Sequence, residues 1–247
     1  MQQDFYTEYS EIEDTHWWFR GRREIFTRLL APFENRGLSI LDIGFGTGAM
    51  LTFLQRYGHV TGMDMSVDAI RFARTRCDAP MLLGDITSLP VATASMDLVT
   101  AFDIVEHVPD DRAAFAELAR VCRPGGHVLL TVPAFQFLWG NQDVVSHHQR
   151  RYTLAELEAH VRSAGLVPHR LSYFNAILFP AVAAVRVARR LRGERRPQGE
   201  VKSDFTMTKP GLVNDTLARV FAAEGRWLAR WRLPVGVSVV CLAERRA

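Results

Sequence analysis

The stretch Leu41-Asp42-Ile43-Gly44-Phe45-Gly46-Thr47-Gly48 decides the fold. An apolar run, Leu38–Ile43, ends in three glycines that alternate with larger residues. Glycines at such spacing let the backbone turn tightly and let a ligand approach where a Cβ would collide. A turn of this kind at the carboxyl end of a strand is where open α/β sheets bind ligands. A glycine bend alone also serves as an ordinary structural turn, so its surroundings carry the reading. Asp64 ends the next apolar run, 20 residues after Gly44, and Gly84-Asp85 ends the one after that. Acids at the ends of consecutive strands beside a glycine bend line one sheet edge, where Asp64 can accept hydrogen bonds from a ribose and Asp85 can meet an adenine amino group.

Working outward, apolar bursts alternate with helical patterns: Leu38–Ile43, His59–Asp64, Pro80–Gly84, Met96–Phe102 and His127–Val132. This alternation predicts an α/β protein with a mostly parallel sheet covered on both faces. Met50, Phe53, Leu54 and Tyr57 share one helix face, with Gly58 as the stop; Phe115, Leu118, Ala119 and Cys122 share another, ended by Pro124-Gly125-Gly126. Thr153-x-x-Glu156 is a capping box opening a helix that Gly165 closes. Strands at about 166–173 and 236–243 complete the sheet. Between them, Val213, Leu217, Val220, Phe221, Trp227, Leu228 and Trp231 read as the apolar stripe of one amphipathic helix. The expected organisation is an N-terminal helical segment over 1–35, a core over 36–173, a helical insertion over 174–234 and a final core strand over 235–247.

Composition places the chain among soluble globular proteins and supplies no secretory signal or bilayer-spanning run, so it reads as cytoplasmic. Three widely spaced cysteines, Cys77, Cys122 and Cys241, have no metal-ligand spacing and read as reduced core thiols. Six arginines lie between Arg186 and Arg196 against the single acid Glu194, directly after the apolar run Ala176–Val185. Apolar-then-basic order over 176–196 suits either a peripheral contact with the inner face of a membrane or a solvated linker. Because those arginines cluster in one insertion and are not interleaved with stacking aromatics, the pattern argues against nucleic acid.

Two nucleoside ligands compete for the bend. The dinucleotide fingerprint is G-x-G-x-x-G, and here the third glycine comes one residue early. Asp42, two positions before Gly44, would repel the pyrophosphate of NAD but attract the sulfonium and amino group of S-adenosylmethionine (SAM).

The run from about Ile40 to Val132 resembles the class I SAM-dependent methyltransferases. Asp42-x-Gly44-x-Gly46-x-Gly48 is similar to that family's first motif, Asp64 with Met65 to its ribose-binding position, and Asp85-Ile86 to its adenine-binding position. The stretch from Asp97 through Glu106-His107 is similar to the fourth-strand motif, and Arg123-Pro124-Gly125-Gly126 to the turn into the fifth strand. The resemblance implies a Rossmann-like, seven-stranded sheet whose last strand is antiparallel, SAM as cofactor, and Phe102 and Asp103 along it. His16-Trp17-Trp18-Phe19-x-Gly21-Arg22-Arg23 and His147-His148-x-Arg150-Arg151-Tyr152-Thr153 resemble a bacterial branch of small-molecule methyltransferases, several of them linked to cell-surface or lipid-carried sugars. That likeness implies an N-terminal lid with Trp18, Arg22 and Tyr152 on the substrate side, although the aromatics could equally pack on the sheet.

Methyl transfer from SAM needs alignment and exclusion of water, and a general base only for a hydroxyl or protonated amine. His107, and His147 or His148, are the candidates for that base, with a structural hydrogen bond as the alternative for each. Asp103-x-x-Glu106-His107 with a later histidine also resembles the E-x-x-E-H cluster that binds magnesium in quinone-ring and small-RNA 2′-O-methyltransferases. Similar strings occur in metal-free members, so the expectation is no resident metal, with magnesium as the variant. The expected function is methyl transfer to a small-molecule or lipid-linked acceptor. A non-catalytic SAM- or partner-binding domain and an NAD-dependent oxidoreductase are the alternatives, and the insertion could serve as lid, homodimer contact or membrane foot.

Overall fold

The computed structural model describes residues 3–191, 210–228 and 230–246. Seven strands form one sheet: β1 (Leu38–Ile43), β2 (Gly58–Asp64), β3 (Met81–Leu83), β4 (Met96–Phe102), β5 (Cys122–Pro133), β6 (Leu166–Phe174) and β7 (Ser238–Arg245). Their order is β3-β2-β1-β4-β5-β7-β6, with β7 antiparallel to both neighbours and the other pairings parallel. The chain steps outward from β1 to β3 and then returns to the other side of β1 at β4. The crevice between β1 and β4 is therefore the topological switch point, where ligands bind in open α/β sheets.

Both sheet faces are covered, which explains why the strands read as continuous apolar runs. Successive side chains point to opposite faces. Leu41 and Ile43 pack with Val99, Ala101, Val128 and Leu130 under α5 (Asp111–Val121) and α7 (Leu154–Ser163). Ile40, Leu98, Leu129 and Val240 pack the other way, against α2 (Trp17–Leu30), α3 (Ala49–Leu54), α4 (Val67–Ala73), α9 (Leu212–Ala223) and α10 (Gly225–Leu228). The remaining helices are α1 (Gln3–Thr15), α6 (Asn141–Val145) and α8 (Phe179–Leu191). The capping box forms as expected: Thr153 Oγ1 accepts from the Glu156 amide while the Glu156 carboxylate accepts from the Thr153 amide. Among the described residues no helix is long and apolar enough to cross a membrane, and residues 192–196 of the arginine block lie outside them.

Three local expectations are corrected. The first helix ends at Leu54, and Gly58 opens β2 instead of capping it, because a Cβ there would collide with the Leu38 backbone of the neighbouring strand. Cys122 belongs to β5, whose pairing with β4 begins at Met96 and shifts register at a bulge before Leu98. The long amphipathic stripe is also not one face. The chain turns at Glu224, and the side chains that meet α2 are Asn214, Ala218, Phe221 and Leu228, while Val213, Trp227 and Trp231 face outward. Asn214 decides this orientation: its Oδ1 accepts from the Trp17 amide and its Nδ2 donates to the Thr15 carbonyl, joining α9 to the α1–α2 junction.

Phe221 is 1% exposed and Trp231 69%. Truncating a buried phenylalanine costs about 3–5 kcal/mol, whereas exposed positions change stability by less than about 0.5 kcal/mol. Urea unfolding is therefore expected to show a large loss for Phe221→Ala and almost none for Trp231→Ala; comparable losses would restore the single stripe.

Candidate active site

The glycine bend lies at the switch point with each of its glycines left-handed: φ is 71° at Gly44, 53° at Gly46 and 84° at Gly48. A Cβ on Gly44 would run into the Ile104 side chain, whereas a Cβ on Gly46 would meet nothing within 4 Å. The backbone at Gly46 thus borders open space, as a close-approaching ligand requires.

Asp42 lies beneath the bend, buried. Its Oδ1 accepts a 2.6 Å hydrogen bond from Thr100 Oγ1, and its Oδ2 is buried with no partner. Burial pushes its pKa up to about 7, with the Thr100 bond and the Arg22 charge pulling the other way. Asp64, at the end of β2, accepts from the Gly46 amide at 3.0 Å and the Ser66 amide at 2.9 Å, and burial raises its pKa. Each carboxylate oxygen has a further lone pair, so these bonds orient Asp64 without exhausting it. Asp85 is exposed at the end of β3; Thr87 bonds its Oδ1 through both amide and hydroxyl, which holds its pKa low. Ile86 beside it is buried, and Met65 is 78% exposed at the rim.

Helices α1 and α2 roof this edge. Glu13 of α1 accepts from Thr47 Oγ1 of the bend, and Asp14 takes both its oxygens to Arg76, whose other nitrogen reaches Thr47. Burial raises the pKa of Glu13 and of Tyr9, whose ring lies near Arg22 and Asp103. Arg22 of α2 bonds Asp103 at 2.5 Å, and Trp18 lies 4.2 Å beneath its guanidinium. Asp103 itself has φ 57°, an uncommon conformation for a residue with a side chain, and accepts a second bond from Thr131 Oγ1 at 3.1 Å. Asp42, Asp64, Arg22 and Glu13 are close enough to influence one another electrostatically.

One turn beyond Asp103 lies a second cluster. Glu106 is fully buried, neither carboxylate oxygen has a hydrogen-bond partner, and burial beside Asp103 raises its pKa. His107 and His148 stand edge to face with ring centroids 4.7 Å apart. Burial and the neighbouring His148 lower the His107 pKa to about 4, so His107 is neutral at pH 7. His148 Nδ1 meets Asp143 Oδ1 at 2.8 Å, and Arg151 grips Asp143 through Nε and one terminal nitrogen at 2.8 and 2.9 Å. These charge-assisted bonds hold the Asp143 carboxyl at a pKa of about 2 despite its burial.

Two sequence candidates are buried. The Phe102 ring stacks on Phe26 at 4.5 Å in the core beneath α2. The Tyr152 hydroxyl donates to Asp111 at 2.9 Å and its ring is buried between α5 and α7. The rest of its motif braces as well, since Arg150 pairs with Asp111 at 2.7 Å and Arg151 with Asp143. Sequence reading gave no role to Glu13, Thr47, Asp143 or Arg151, although Thr47 lies inside the glycine bend and Arg151 inside the His147–Thr153 motif.

The sheet order, the reversed last strand and the bend at the switch point define the class I methyltransferase fold. The chain belongs to the SAM-dependent methyltransferase family: the methyltransferase domain family matches residues 41–130, and a malonyl-[acyl-carrier protein] O-methyltransferase of Pseudescherichia vulneris is 33% identical over 63% of this chain and 67% of its own length. A ubiquinone biosynthesis O-methyltransferase of Alkalilimnicola ehrlichii is 36% identical over 44% of this chain and 47% of its own. The first curated relatives are matched over 32% to 61% of their length. A geranyl diphosphate methyltransferase in complex with SAM shares the fold with a TM-score of 0.59 at 16% identity, over 91% of this chain and 85% of that one. The methyltransferase bound to the Haloferax volcanii Trm112 activator does so with a TM-score of 0.63 at 18% identity, over 99% and 97%.

Asp42 supplies a test of the electrostatics. Its folded pKa lies above the unfolded value, so unfolded chains ionise first and stability falls by about 1.4 kcal/mol per unit as pH rises from about 4 to about 7. Asp42→Asn removes that penalty while keeping an acceptor for Thr100. The Tm of the variant is expected to exceed that of the wild type at pH 8 and the gap to shrink toward pH 5; a constant gap would contradict the elevated pKa.

Proposed function

We propose that this domain binds SAM across the β1–β4 crevice and transfers its methyl group to an oxygen of a small-molecule acceptor. The observation that carries the reading is the buried, unpartnered Asp42 Oδ2 beneath a left-handed glycine bend. A cation is the natural complement of such an oxygen, and the methionine amino group supplies one. Asp64, held by the Gly46 and Ser66 amides, would receive the ribose hydroxyls, and Asp85 with buried Ile86 the adenine. The NAD alternative would set a pyrophosphate above Asp42, a buried acid beneath the bend that repels it. Oxygen as acceptor draws support from the relatives, which include O-methyltransferases acting on a malonyl carrier protein and in ubiquinone biosynthesis.

SAM supplies an activated methyl, so the residues' work is to orient the reactants and exclude water. We assign α1 as the lid, since Glu13 closes on Thr47 and Asp14 on Arg76. Arg22, fixed by Asp103 and stacked on Trp18, would set the roof above the transferred methyl. His107 and His148 stand on the acceptor side, with His148 oriented by Asp143. A lipid-linked acceptor and a peripheral membrane contact through 176–196 are the variant reading, supported by Val185, Val187 and Leu191 facing outward on α8.

Calorimetry at pH 8 is expected to detect SAM binding that NADH does not displace. Asp64→Ala should weaken it at least tenfold, the loss of two hydrogen bonds to a charged group being worth about 3 kcal/mol. Displacement of SAM by NADH would instead support the dinucleotide reading, and no heat with SAM would remove the proposal. For the lid, Arg76→Ala frees Asp14 and one Thr47 contact, so SAM dissociation measured by stopped flow should quicken several-fold; an unchanged rate would make α1 a fixed wall.

A further inference from the structure

A cleft of about 320 Å³ lies along the outer side of β6, three strands from β4. β6 is the last strand in the sheet order, so its outer edge has no neighbouring strand among the described residues. Residues Pro168 to Ser172 all line the cleft. Successive side chains of a strand point to opposite faces, so five consecutive residues border one cleft only where it runs along the strand's edge. The other walls agree. Glu158 and Arg162 come from α7 on one face of the sheet, and Leu29 and Leu228 from α2 and α10 on the other.

The chain begins to fill this edge and stops. Leu233 makes a single antiparallel bridge with Tyr173, and its amide donates to Ser172 Oγ at 2.8 Å. Pro234 follows, with no N–H to extend the ladder, and among the described residues 168–171 carry no outer bridge. Arg162, Arg170, Arg230 and Arg232 line the cleft together with exposed Trp231. Glu158, the acid in the same wall, is already answered: Arg162 bonds it through two nitrogens at 3.0 and 2.8 Å, and Arg232 stands 3.7 Å from its other oxygen. The cleft therefore keeps a surplus of positive charge. Open edge strands are templates for pairing, and charged side chains are a usual guard against it. Here the guard has one sign. A second copy of this chain would set arginine against arginine, whereas an acidic segment would gain charge-assisted bonds as well as a backbone ladder.

We propose that this edge of β6 binds an extended acidic segment of a partner protein, which adds to the sheet as an outer strand beside 168–171. Its carboxylates pair with Arg170, Arg230 and Arg232, and an apolar side chain lies against Trp231. Four residues of strand span only about 13 Å, so backbone bonds and charge supply the recognition and many acidic sequences satisfy it. The site uses none of the residues assigned to SAM, and its test stands apart from that of the cofactor.

Fluorescence polarisation of a labelled peptide of alternating glutamate and valine, titrated with the whole chain, tests the proposal. Saturable binding is expected, weakening at least tenfold between about 0.05 M and about 0.5 M NaCl. N-methylation of the central backbone nitrogens, which deletes donors but keeps every charge, should weaken it at least tenfold, as should lysine in place of glutamate. Arg170→Glu should weaken binding severalfold and leave SAM binding unchanged. Arg230→Glu, at an exposed position, should do the same should the first variant fold poorly. Undiminished binding of the N-methylated peptide, or displacement by inorganic tripolyphosphate at equal charge, would reveal an unspecific cationic patch and overturn strand addition. No binding of the acidic peptide, tighter binding of a single-stranded DNA oligonucleotide, or a chain that sediments as a dimer and takes no peptide would overturn it as well.

Discussion

Asp42 is a carboxylate buried at the centre of the sheet with one oxygen answered and the other not. Holding it there opposes folding, and the rest of the structure supplies the stabilisation that makes it tolerable. Continuous apolar strands covered on both faces by helices bury enough hydrocarbon to offset one unfavourable polar group. The bend above it is left-handed at each glycine, and at Gly46 its backbone borders open space. Strain and unsatisfied polarity thus collect at one edge, where Asp103 also adopts a positive φ.

The crevice is closed by elements distant in sequence. Asn214 ties α9 to the α1–α2 junction, and Arg22 reaches from α2 to Asp103 at the end of β4. The N-terminal helices therefore depend for their position on a helix contributed almost 200 residues later. Beside Glu106, the segment from His148 to Thr153 works as a brace. Arg150 and Tyr152 converge on Asp111, Arg151 secures Asp143, and Asp143 presents His148. Motif residues that look catalytic in one dimension here mostly hold one another in place.

The local parts of this arrangement were legible in the sequence. Strand ends, the glycine bend, its three acids and the capping box at Thr153 follow from periodicity and turn chemistry that act over a few residues. What was not legible depends on packing between distant segments. Nothing near Phe102 announces that its ring stacks on Phe26, and nothing near Tyr152 announces Asp111 as its partner. The amphipathic stripe from Val213 to Trp231 failed for the same reason: Asn214, a polar residue, sets which face turns inward. Glu13 was hidden in an acidic segment that reads as solvated until α1 folds back onto Thr47.

Titration of the Asp42 carboxyl by carbon-detected NMR, in the free protein and with SAM added, tests the central claim most directly. The account predicts a midpoint near pH 7 without ligand, as burial dictates, and a fall of more than a unit once a cationic amino group takes the unpartnered oxygen. A midpoint near 4 in the free protein, or one that SAM leaves unmoved, would contradict it.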